Sequence, residues 1–403
     1  MRHRAAAGLV FWGAVLAATV IGGRKPALNW DGIAYVALAL ERDVGVQEAH
    51  RQSYAYLLEA APATRFEELT AATPYRRAMA EDPRAFAETL RFYRMRQGYV
   101  GLLSGAHRLF GTNPFQASTY VGIASFVLLA AAVWAWSGRA VSVLGESRPE
   151  GEWLRLAALV LILQPAAAGS IALATPDLLA GSLLVWGAYF WAARGMLWAS
   201  LPFFGLAVLA RPDALVLAST LLCAPALVAA AFRDREEFVR SLLPFAGGIG
   251  VAATGIFLAW HFEAHSWGTL FRHTFVENAV FPEPRWPGLL EYVKALGAAT
   301  VLAGYGLPAR ILFGLGALAV VYLWLHPLVP QRRRVLAAAT LAAQVAFFLL
   351  FPLPAERFFV AHVVVVGALL FESVVELGAL SLEEGRPLHL ALLRPRLAAQ
   401  SGR

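Results

Sequence analysis

Long runs without a charged residue are the feature that most restricts this chain. Ala5–Gly23, Leu109–Gly138, Leu156–Pro176, Ala214–Phe232, Ser241–Trp260, Ile311–Gln331 and Val335–Ala355 contain no Asp, Glu, Lys or Arg. About 20 apolar residues in a helix cross the hydrocarbon core of a bilayer. Backbone groups in lipid have to pair within the segment, so runs of this kind cross as helices. Two shorter runs, Leu178–Ala193 and Gly195–Ala210, and the segment from Phe358 to Leu380 bring the expectation to about ten spans. Composition agrees, because 15% of the residues are charged against roughly 25% in soluble domains. The expected fold class is therefore an all-α polytopic membrane protein.

Arg2 and Arg4 ahead of the first run resemble the start of a secretory signal. The length of that run and the poor cleavage site at Gly22-Gly23 favour a retained first span. A single cysteine, Cys223, excludes an intrachain disulfide and a cysteine-based metal site. The net charge of +7 does not point to nucleic acid, since the arginines flank the spans on one side. With the N-terminus in the cytoplasm, Arg139, Arg155, Arg194, Arg233, Arg235, Arg240 and Arg332–Arg334 fall inside, whereas Arg211, Arg272, Arg285, Lys294, Arg310 and Arg357 fall outside. That asymmetry obeys the positive-inside rule. Leu289–Gly306 is apolar enough to compete as a further span, but a crossing there would move Arg332–Arg334 outside, so an interfacial or re-entrant segment is expected.

One long extracytoplasmic loop is expected over residues 24–108, and it reads as helical. Thr64-x-x-Glu67 matches a capping box, and Thr73-Pro74 and Asp82-Pro83 each place a cap ahead of a first-turn proline. Residues 1–403 then form a single membrane domain, with a cytoplasmic tail over 381–403. All basic residues except Lys25 and Lys294 are arginine, a bias of GC-rich bacterial genomes. The expected location is the bacterial inner membrane, with both termini cytoplasmic.

Ionisable residues near spans are costly unless they face protein or water, which makes them functional candidates. Here they gather on the extracytoplasmic side. Asp31, in Asn29-Trp30-Asp31-Gly32, either caps a helix starting at Gly32 or serves as a general base; Tyr35 lies one helical turn on. Thr175-Pro176-Asp177 and Arg211-Pro212-Asp213 put aspartate at helix starts, where it suits the helix dipole. Arg211 does not suit that dipole and needs Asp177, Asp213 or a ligand phosphate as partner. Arg94 and Arg96 alternate with Tyr93 and Met95, a pattern that also fits snorkelling to headgroups. Glu356-Arg357 either anchors the last span or binds substrate. His261-Phe262-Glu263-Ala264-His265 has its Glu one place off the metalloprotease pattern, so interface packing is the expectation there and no metal site is assigned. No phosphate-binding glycine loop, dinucleotide fingerprint or serine elbow is present.

Taken in order, Asp31-Gly32-x-x-Tyr35, Tyr93-Arg94-x-Arg96, Thr175-Pro176-Asp177, Arg211-Pro212-Asp213 and Glu356-Arg357-Phe358 resemble the GT-C superfamily of integral-membrane glycosyltransferases. The resemblance extends to the architecture of one span, a long helical outer loop and a bundle of spans. It implies transfer of a sugar from a polyprenyl-phosphate carrier to an extracytoplasmic lipid, glycan or polymer. It further implies Asp31 as catalytic base, with Arg211 and Arg357, joined by Arg94 or Arg96, on the carrier phosphate. Tyr35, Asp177, Asp213 and Glu356 complete the implied substrate site, and no metal cofactor is required. A second acid close to the first-loop aspartate, common in the family, is replaced here by Glu41, ten residues on. The oligosaccharyltransferase signature Trp-Trp-Asp is absent, which favours single-sugar transfer. The competing expectations are a transporter or flippase of a lipid-linked or anionic substrate, and a non-catalytic assembly subunit of the same fold.

Overall fold

The computed structural model describes residues 2–144, 149–305 and 307–383; the expected tail beyond residue 383 lies outside them. Helix α1 (Arg2–Gly22) is followed by six short helices: α2 (Trp30–Val44), α3 (Val46–Ala60), α4 (Ala63–Ala71), α5 (Pro74–Glu81), α6 (Pro83–Leu90) and α7 (Gln97–Phe110). After α8 (Pro114–Val141) come three short pieces, α9 (Pro149–Leu154), α10 (Leu159–Ile162) and α11 (Pro165–Gly169). The remaining helices are α12 (Asp177–Ala188), α13 (Leu197–Ala210), α14 (Ala214–Ala231), α15 (Arg235–His261), α16 (Trp267–Phe275), α17 (Leu289–Tyr305), α18 (Leu307–Leu325), α19 (Gln331–Leu350) and α20 (Val360–Glu383). No strand occurs among the described residues, only an isolated parallel bridge between Ala27 and Leu173.

Among the described residues, six helical stretches are long and apolar enough to cross a membrane: His3–Gly22, Pro114–Leu144, Ala214–Ala231, Arg235–His261, Gln331–Leu350 and Glu356–Leu380. Their packing is that of helices in lipid. In α1, Phe11 is fully buried against Trp134 while Leu9, Leu16 and Ile21 are exposed. In α15, Leu258 is buried while Ile249, Ile256 and Trp260 are exposed. Apolar surface on this scale is incompatible with water, and it identifies an all-helical membrane protein. Asp177–Ala193, Leu197–Ala210 and Gly314–Leu325 are apolar helices of shorter length.

Local sequence accounts for many boundaries. Asn113 accepts from the Phe115 amide at 3.0 Å, with Pro114 in the first turn, and so starts α8. Thr73 and Asp82 cap α5 and α6 as expected, each ahead of its proline. The capping box over Thr64–Glu67 does not form. Helix α4 starts at Ala63, directly after Pro62, which places Thr64 inside the first turn.

The run Leu156–Pro176, expected as one span, is not one helix. Proline lacks an amide hydrogen and steers its predecessor out of the helical region. Gln164 accordingly has φ −57° and ψ 144°, and α11 restarts at Pro165. From Ser170 the chain runs through turns and a short extended stretch to Asp177. It is tolerated inside the bundle because Ala167, Ser170, Ile171 and Ala174 are buried in protein, the condition for irregular backbone away from water. Of Leu289–Gly306, expected to be interfacial or re-entrant, the described part Leu289–Tyr305 is the helix α17. Its first turn meets the end of α19 through the Tyr292 hydroxyl, which donates to the Leu349 carbonyl at 2.8 Å.

The helical bundle has two polar ends. At one, Arg139 donates to the Ala193 carbonyl, Arg332 to the Trp191 carbonyl, and Arg333 pairs with Glu372 and Glu376. The starts of α2, α12, α14 and α20 meet at the other.

Candidate functional site

The second polar end is built from segments far apart in sequence. Ala27 and Leu173 pair in parallel, with the Ala27 amide donating to the Ala172 carbonyl at 2.9 Å. Each strand-like segment then leads into a helix whose first turn carries an aspartate. Asp31 and Asp177 both lie four residues past the bridge, so the pairing brings them side by side. Gly32 makes the approach possible, because a Cβ there would lie 2.9 Å from the Ala174 Cβ.

Asp31 is not the cap of α2. Asn29 is, accepting from the Gly32 amide at 2.7 Å, and this frees the Asp31 carboxylate to face the cluster. Its Oδ1 accepts from the Tyr93 hydroxyl at 2.9 Å, and its Oδ2 lies 3.3 Å from an Arg357 Nη. Burial first, then the Asp31 charge, raises the Tyr93 phenol well above its ordinary range, so Tyr93 stays a donor. At the other helix starts neither proline is in a first helical position: Pro176 is the cap residue of α12, and Pro212 lies one place before Asp213, the cap residue of α14, which makes no side-chain cap bond.

Asp177 and Asp213 therefore serve the arginines. Arg211 donates to Asp177 Oδ1 at 2.5 Å and to Asp213 Oδ2 at 2.5 Å. Arg357 Nε stands 3.2 Å from Asp177 Oδ2. Phe358 lies under both guanidiniums, 4.2 Å from that of Arg211 and 5.1 Å from that of Arg357, a favourable cation–π placement. Asp177 has a side chain only 4% exposed and gives both oxygens to arginine, whereas the Asp31 side chain is 34% exposed. Of the acids in the cluster, Asp177 is the buried anchor of the two cations, whereas Asp31 and Asp213 are partly exposed; Asp213 is taken up by Arg211. Arg211, Arg357, Asp177 and Asp213 line a narrow cavity together with Phe347, Phe358 and His362.

The other sequence candidates take distinct places. Tyr35 is buried, packed edge-on against Tyr93 and Tyr99. Arg96 sits over the rings of Tyr93, at 5.2 Å, and Tyr35, at 5.8 Å, one layer behind Asp31. Burial opposes its charge, but Tyr35, Asp213, Tyr93 and Asp31 outweigh it and raise its pKa. Arg94 belongs elsewhere: it pairs with Glu41 at 2.6 Å, about 15 Å along α2 from Asp31 at 1.5 Å per residue. Glu356 is half-buried and is not a partner of these arginines.

His261 stacks on Phe257, while His265 packs on Phe92 and lies 3.1 Å from Glu88. His265 and His273 sandwich Phe92, and burial lowers His273 to about 4. Among the described residues, no three His, Cys, Asp or Glu side chains group as metal ligands.

Sequence reasoning passed over Tyr93 as an Asp31 partner, Phe358 as the platform for two arginines, and His362. Each had a local signal: Tyr93 adjoins the arginine run, Phe358 follows Arg357, and His362 is an ionisable residue inside an apolar run. Comparisons of the chain with family models, with curated proteins and with solved structures return no match.

Proposed function

We propose that this protein is a membrane glycosyltransferase that moves one sugar from a polyprenyl-phosphate carrier to a hydroxyl of a lipid, glycan or polymer. In this reading about ten segments cross a bacterial inner membrane, both termini are cytoplasmic, and the Asp31 end opens to the extracytoplasmic side. The arginine-rich opposite end supports that orientation.

The observation that carries the reading is one cluster holding a partly exposed carboxylate, Asp31, beside two guanidiniums, Arg211 and Arg357, that a buried aspartate fixes in place. Inverting sugar transfer needs both elements. The acceptor oxygen attacks the anomeric carbon, and its proton passes to Asp31. The bond from that carbon to the phosphate oxygen breaks, with the electron pair staying on the phosphate. The leaving phosphate gains charge as this happens, and preorganised cationic donors stabilise such a transition state. Arg211 and Arg357 are assigned that task, which gives the reaction its charge stabilisation without requiring a metal. Tyr93 orients Asp31 through its hydrogen bond, and Arg96 backs the Tyr93 ring.

The test compares membranes from cells making wild-type protein or Asp31→Asn, supplied with labelled polyprenyl-phosphate sugars. Label is followed into lipid, glycan and protein fractions. Transfer by wild type, reduced about 10²- to 10⁴-fold in the variant, is expected for loss of a general base. Equal transfer by both removes Asp31 from the chemistry. No transfer by wild type overturns the enzymatic reading and leaves a transporter or an assembly subunit as the reading to pursue.

A further inference from the structure

His362 is the group in this cluster that the fold does not explain. It lies on α20, one helical turn past Phe358, and lines the same cavity as Arg211, Arg357 and Asp177. The residue is 5% exposed, and neither Nδ1 nor Nε2 has a hydrogen-bond partner in the protein. A neutral imidazole carries one N–H donor and one acceptor nitrogen. Leaving both buried and unpaired is unfavourable, and an apolar side chain of similar size would avoid that cost. Apolar groups make up the rest of its surroundings, with the Phe359 ring at 5.8 Å and Leu184, Leu217 and Ala361 sharing the cavity wall. Nothing in the packing asks for a histidine.

The chemistry of the wall indicates what does. Arg211 and Arg357 present N–H donors; Arg211 bonds Asp177 Oδ1, and Arg357 Nε stands 3.2 Å from Asp177 Oδ2. A ligand that answers the donors of this wall brings acceptor oxygens, as a phosphate group does. We propose that His362 is a phosphate-binding residue: one ring N–H donates to an oxygen of the same phosphate that Arg211 and Arg357 hold. The assignment rests on the phosphate-carrier reading above and extends it to a third donor, deeper in the bundle than either arginine.

The test uses the purified full-length chain in detergent. It measures binding of farnesyl phosphate, inorganic phosphate and farnesol, and thermal unfolding without ligand, for wild type, His362→Leu and His362→Gln. Wild type is expected to bind farnesyl phosphate and not farnesol. His362→Leu should lose at least tenfold in affinity, about 1.4 kcal/mol, while its ligand-free melting temperature stays equal or rises. His362→Gln, which keeps an N–H donor, should bind within a few fold of wild type. Farnesyl phosphate bound more tightly than inorganic phosphate identifies a lipid-linked source; equal affinities identify phosphate alone, and either leaves the His362 assignment standing. Wild-type-like binding by His362→Leu overturns the assignment and leaves the arginine reading intact. A lowered ligand-free melting temperature in both variants marks His362 as a packing residue and also overturns it. Failure of wild type to bind either phosphate overturns the phosphate reading itself.

Discussion

Two aspartates at the same place in the fold have opposite burdens. Asp31 is partly exposed and has one phenol and one arginine beside it, whereas Asp177 is buried between two guanidiniums. Removing one partner from a buried ion pair leaves an uncompensated charge, at a cost of about 3–5 kcal/mol. Asp177→Asn is therefore expected to destabilise the protein by that order, read as a lower melting temperature in detergent. Asp31→Asn is expected to leave the melting temperature nearly unchanged, because an amide still accepts from Tyr93. Similar losses for the two variants would contradict the division between a buried anchor and a partly exposed carboxylate. Which aspartate plays which part was not legible from the sequence. Both follow or adjoin a helix start, and capping explains either equally well until the Asn29 cap and the arginine partners are seen.

At the scale of elements, the device that assembles the site is the parallel pairing of residues near Ala27 with residues near Leu173. It exists because the run over 156–176 breaks at Gln164-Pro165 and because α8 makes room for the extended stretch. Gly122 of α8 supplies that room: a Cβ there would lie 2.0 Å from the Ile171 carbonyl oxygen. Backbone on the far side cannot yield as a flexible side chain would. Gly122→Ala is expected to cost about 1–3 kcal/mol through overpacking and to reduce activity beyond what the lost stability explains, by displacing Asp177 from Asp31. A variant with full stability and activity would show that the segment moves freely. Hydropathy concealed all this, since Leu156–Pro176 is as free of charge as the other long apolar runs. The proline was visible, but a proline inside an apolar run kinks some helices and ends others, and the contact that decides between these outcomes comes from residue 27.

For the whole molecule, the arginine-rich end and the Asp31 end lie at opposite ends of α8, α12 and α20, each with its own set of charges. In the proposed orientation the helices α2–α7 and the Asp31 cluster share the extracytoplasmic side. In a Cys223→Ala background, Arg84→Cys on α6 is expected to react with a membrane-impermeant maleimide in intact cells. Arg233→Cys, in the turn between α14 and α15, should react only after the membrane is opened. The reverse pattern would invert the orientation and place the site in the cytoplasm.

The sequence by itself determined the class of this protein. A charge-free run of sufficient length has few alternatives to a buried or lipid-facing helix, because unpaired backbone groups are too costly in either setting. It also brought the candidate residues to notice, since an ionised side chain beside a membrane span needs a reason. Tertiary structure alone decided which of them meet. Arg94 and Arg357 look equivalent as lone cations near span ends, yet one closes on Glu41 and the other bridges Asp31 and Asp177. That difference depends on contacts between segments more than 50 residues apart, and electrostatic partnership at such separations is set by how the helices pack rather than by local residue pattern.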